Sequence, residues 1–170
     1  MDIHPLIVHF PIAFLSVYAL FELFQTKKMK EAESWFLTKG ILLFLGTAGA
    51  FLSLITGDVA KELQGGYSKL VGMHELFARG TTVIFAILLI HYSIGSVAYL
   101  FEKKISTSQY ASVWEWIRAI DEKIYTSPIV FFCALLGFFG ILIVGALGGA
   151  IVYGPDADPF VSLIFHLFFP

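Results

Sequence analysis

Four unbroken apolar runs constrain this chain more than anything else in it. Roughly Leu6 to Phe24, Leu37 to Thr56, Gly80 to Phe101 and Ile129 to Tyr153 each reach the ~20 apolar residues that a helix needs to cross a bilayer. A membrane barrel would instead show many short alternating segments between turns. Hydrocarbon offers backbone groups no water to bond, so a continuous run rich in Leu, Ile and Phe resolves as helix. Of the 170 residues, 58% are hydrophobic and 14% charged, with a mean hydropathy of +0.81. A soluble core of this size could not hide that much apolar surface. The expected fold is all-α: a four-helix transmembrane bundle forming a single domain over residues 1–170, with no tandem repeat and no loop long enough for a soluble module.

Charge sets orientation and excludes some partners. A formal charge of −2 without a basic stripe excludes nucleic acid as a partner and leaves the lipid bilayer as the first one. Lys27, Lys28, Lys30 and Lys39 lie in the first connection, and Lys103, Lys104, Arg118 and Lys123 in the third. Against these eight stand Lys61, Lys69 and Arg79 in the second connection. The bias predicts both termini outside the membrane, in the periplasm if this is a bacterial inner membrane. Met1-Asp2-Ile3-His4 has no basic residue before the apolar run and no small-residue cleavage site, so the first helix is expected to stay in the mature protein. Cys133, the only cysteine, lies inside an apolar run and reads as packing.

The connections carry further signals. Gly57 to Met73 holds Asp58, Lys61, Glu62 and the loop signal Gly65-Gly66, then feeds a helix expected to begin before the membrane does, with His74, Glu75 and Arg79 on that extension. Glu75 and Arg79 are spaced for an i,i+4 ion pair. Between Glu102 and Ser127, Val113, Ile117, Ile120 and Ile124 recur at helical spacing beside Trp114, Trp116 and Tyr125. This predicts an additional amphipathic helix lying at the cytoplasmic interface. Phe160 to Pro170 is too short to span and is expected to fold back along the outer interface with His166. Glu22 is expected to snorkel from the inner end of the first run towards water.

The opening HPLIVHFP (residues 4–11), His74 after the second run, and the stretch Gly145 to Tyr153 resemble the domain of unknown function 2231 family of bacterial membrane proteins. The likeness covers nearly the whole chain and implies four transmembrane helices without implying an activity. Some members are joined to cytochrome-like modules, which implies redox neighbours such as other membrane redox subunits or periplasmic electron carriers. Gly154 directly after Tyr153 and the acidic, proline-bounded tail depart from the family pattern.

Two imidazoles at the edge of a hydrocarbon-facing segment are costly unless solvated, hydrogen-bonded or ligated. His9 and His74, both at the outer boundary on the expected topology, could supply the two axial nitrogens of a b-type haem. Gly148 and Gly149 would then leave room for a flat cofactor. The alternative site is a divalent metal held by His4, His9, His74 and Asp58, for which an unbroken helix would not put His4 and His9 on one face. A chain without cofactor, acting as a structural subunit of a membrane complex or as a transporter, is the third reading. His91, near the middle of the third run, has no histidine at matched depth. No Walker loop, nucleophile elbow, HExxH or dinucleotide fingerprint occurs, which disfavours hydrolytic and nucleotide-driven enzymes.

Overall fold

The computed structural model describes residues 3–63, 68–106, 109–125 and 128–170. The Gly65-Gly66 loop signal lies outside the described residues, as do the side chains of Lys103, Lys104, Ile124 and Tyr125. The elements are α1 (His4–Leu23), α2 (Lys27–Glu31), α3 (Glu33–Leu63), α4 (Lys69–Ser106), α5 (Ala111–Tyr125), α6 (Ile129–Tyr153) and α7 (Pro159–Phe168). Helices α1, α3, α4 and α6 are long and apolar enough to cross a membrane, so the four-helix all-α expectation holds.

Element boundaries moved where the apolar pattern was the only guide. With 31 residues, α3 is about 46 Å long and overshoots the ~30 Å hydrocarbon core. The 38-residue α4 begins at Lys69 and contains the whole expected run Gly80 to Phe101, preceded by the expected extension with His74, Glu75 and Arg79. On that extension Gly72 to His74 are half-buried, and His74 bonds the Val144 carbonyl of α6. Pro5 starts α1, where a missing N–H is harmless. Pro11 falls inside α1 and is buried; its ring lies against Gly49, where an added Cβ would sit 3.2 Å from Pro11 Cδ. The short α2 was not legible in the sequence; Thr26 caps it by accepting from the Met29 N–H.

The spans close into a ring, α1 against α3, α3 against α4, α4 against α6 and α6 against α1. Consecutive spans are neighbours, as short connections require. Leu15, Tyr18, Leu43, Phe85, Leu88 and Tyr92 fill the centre. At Gly137 an added Cβ would come within 2.7 Å of the Phe85 ring, so the bare backbone of α6 is what admits that ring. Ile41, Phe44, Phe51, Ile87, Phe132 and Phe139 point outward, the arrangement of a chain whose surroundings are hydrocarbon.

The α5 helix forms where its amphipathic pattern predicted and packs on α4 and α6. Asp158 caps α7, accepting from the Phe160 and Val161 N–H groups. That helix folds back on α6, and Phe168 meets Phe77. The bundle therefore has a histidine end, with the starts of α1 and α4, the end of α6 and α7, and an opposite end with Glu22 and Lys39.

Candidate functional site

At the histidine end the first residue of α1 is a ligand-type side chain fastened to a neighbouring helix. His4 Nδ1 is 3.0 Å from Thr56 Oγ1. The Thr56 hydroxyl has one proton and directs it at the carbonyls of Leu52 and Ser53, 3.1 and 3.2 Å away. It therefore accepts from His4, which carries its proton on Nδ1. His74 Nδ1 is 3.1 Å from the Val144 carbonyl oxygen of α6, a pure acceptor, so this ring too is protonated on Nδ1. In the neutral form both rings have their lone pair on Nε2. A ring whose Nδ1–H is fixed by an oxygen acceptor is the arrangement in which Nε2 ligates metals.

The two rings share one region: His4 lies within electrostatic reach of His74, and each rests on a glycine. An added Cβ at Gly57 would sit 3.2 Å from His4 Cε1, and one at Gly148 would sit 3.3 Å from His74 Cε1. Gly148 thus seats the His74 ring, and Gly149 faces Val161 Cγ2 at 3.2 Å from an added Cβ. Neither is an open slot. The room expected there for a flat cofactor is taken by the chain's own side chains.

The structure does not bring His9 to this place. His9 is exposed and its Nδ1 bonds the Pro5 carbonyl of its own helix, since five residues of helix turn it well away from His4. Asp58 is exposed and takes part in an ion-pair array with Arg79 at 3.5 Å. Arg79 also pairs with Glu75 at the expected i,i+4 spacing, and Lys61 reaches Glu75 at 2.9 Å. Among the described residues no three of His, Cys, Asp and Glu come together as a metal set. A haem iron asks less of the protein, two axial nitrogens, because the macrocycle supplies the rest. The nitrogen donors that the structure brings to one region here are two, His4 and His74. His166 is exposed, 3.7 Å from Asp156.

The opposite end holds a polar cluster that sequence reading missed. Lys39 Nζ lies 2.7 Å from Glu22 Oε2 and 2.8 Å from Gln25 Oε1. The Tyr92 hydroxyl donates to the same Glu22 oxygen at 2.9 Å, and Gln25 Nε2 donates to Oε1 at 2.7 Å. The Glu22 and Lys39 side chains are 5% and 2% exposed. Glu22 therefore does not snorkel to water; it turns inward because Lys39, Tyr92 and Gln25 satisfy it there. Lys39, which entered the inner charge count as a loop cation, is part of the core. Two single charges of opposite sign, at matched depth on neighbouring runs, were the available signal. His91 sits edge-on to Tyr92, ring centroids 5.8 Å apart, and so belongs near this end rather than mid-membrane.

Fold and surface define a class, a four-span helical integral membrane protein. The family model described as predicted membrane protein (DUF2231) matches residues 1–156, and the chain belongs to that family. The match ends before α7. No curated protein and no solved structure matches the chain.

Proposed function

We propose that the protein is a non-enzymatic, redox-associated membrane subunit whose histidine end binds a b-type haem between His4 and His74. The observation that carries this reading is the matched state of the two rings: they come from different helices, and both are locked at Nδ1 by oxygen acceptors, the tautomer in which Nε2 is the ligating nitrogen. When bound, haem would supply one-electron chemistry. The chain's own part is to fix tautomer and ring orientation through Thr56 and Val144. The basic bias supports an outward-facing histidine end; removing the buried Lys39 from the count leaves seven against three, the same direction. In a bacterial inner membrane both termini would then face the periplasm, where soluble electron carriers or other redox subunits are the fitting partners.

A second reading, a structural subunit without cofactor, is favoured by one observation. The same two hydrogen bonds tie α1 to α3 and α4 to α6, so the rings also serve as staples. Purification in mild detergent from haem-producing cells separates the two. The haem reading expects a Soret band that sharpens and shifts on reduction; a colourless protein that co-purifies with a fixed partner overturns it.

A further inference from the structure

Between the bundle and α5 the helices do not close on one another. Ile87, Ile90 and Ile94 of α4, Trp116 and Ile120 of α5, and Cys133 of α6 line a half-open cleft of about 270 Å³. Among the described residues the wall is apolar apart from His91, the Trp116 indole N–H and the Cys133 thiol. Water gains too few partners in such a place, and apolar cavities stay dry and accept apolar guests.

The surroundings identify the guest. Ile87 and Ile90 are wall residues and yet 57% and 63% exposed, so the cleft opens sideways onto the lipid-facing belt. Glu115, Glu122 and Lys123 are exposed on α5, which places that helix at the boundary between hydrocarbon and water. A molecule filling the cleft is therefore apolar along its length, enters from the bilayer and has a polar end at the level of α5. The volume is just below the range of ordinary ligand pockets and suits a chain segment. We propose that the cleft holds one acyl chain of a membrane phospholipid, which fills the gap between α5 and the bundle. The site is independent of the histidine end.

The test is native mass spectrometry of the full-length protein, stripped with detergent and then supplied with palmitoyl-oleoyl phosphatidylethanolamine. Wild type is expected to retain one lipid more than Cys133→Phe and Ile94→Phe, whose larger side chains occupy the cleft. Phe44→Leu, on the exposed face of α3, should match wild type. Should Cys133→Phe fail to fold, alkylating Cys133 of folded wild type with N-ethylmaleimide blocks the same space and should cause the same loss. Equal retention by all forms, or none by wild type, overturns the proposal. A co-purifying prenyl quinone that the phospholipid does not displace overturns it as well.

Discussion

The two ends of the bundle use polar side chains in opposite ways. About 27 Å of α4 separates His74 from Tyr92, so each group sits near one boundary of the hydrocarbon. At the Glu22–Lys39 end a carboxylate, an ammonium, an amide and a phenol satisfy one another, and the charged pair is sealed from solvent. At the histidine end the charges are part-exposed, and each imidazole uses one nitrogen for structure. The difference teaches which end can meet a ligand. A closed network specifies how α1, α3 and α4 pack, because only one register pairs all its members, whereas the part-exposed end is the one to which the proposed ligand is assigned.

The largest expected effect belongs to the closed end. Lys39→Met leaves the Glu22 carboxylate buried without its cation, which should cost about 3–5 kcal/mol, read as unfolding free energy in mixed micelles. Adding Glu22→Leu should recover most of the loss. A single-variant cost below about 1 kcal/mol would break the contrast between the ends. Tyr92→Phe removes one hydrogen bond to a charged acceptor and should cost about 1.5–3 kcal/mol in the same assay.

The open end should respond more weakly. His4→Ala and His74→Ala each delete one interhelical hydrogen bond and should cost about 0.5–1.5 kcal/mol, measured without added haem. Smallest of all, Glu75→Gln should cost no more than about 1 kcal/mol and lose its effect at high salt, since its partners are screened. The Lys39→Met penalty should be unchanged by salt. A salt-sensitive Lys39→Met would mean that water reaches the inner pair.

The sequence announced the four spans because each run is long and continuous, and it announced α5 through its period and Trp114 and Trp116. It misplaced the polar residues for one reason. Hydropathy reports how far a residue type prefers water, and says nothing of partners arriving from another helix. Glu22 and Lys39 looked like boundary charges until folding brought them within 2.7 Å. His9 looked central because it lies inside a recognisable motif, but helix geometry turns it outward, and His4 takes the place beside His74. Gly148 was expected to leave room for a flat cofactor; what lies over it is the His74 ring. The extension of α4 ahead of its apolar run, carrying His74, Glu75 and Arg79, was legible and is present from Lys69.

The central claim is that His4 and His74 form the ligand pair and that His9 does not belong to it. Its most direct test is the reduced-minus-oxidised absorption spectrum of His4→Ala, His74→Ala and His9→Ala, purified beside wild type at equal helical content. The account predicts that the first two lose the Soret band and that His9→Ala keeps it in full. A wild-type protein without the band, or a band that survives both His4→Ala and His74→Ala and disappears in His9→Ala, would contradict it.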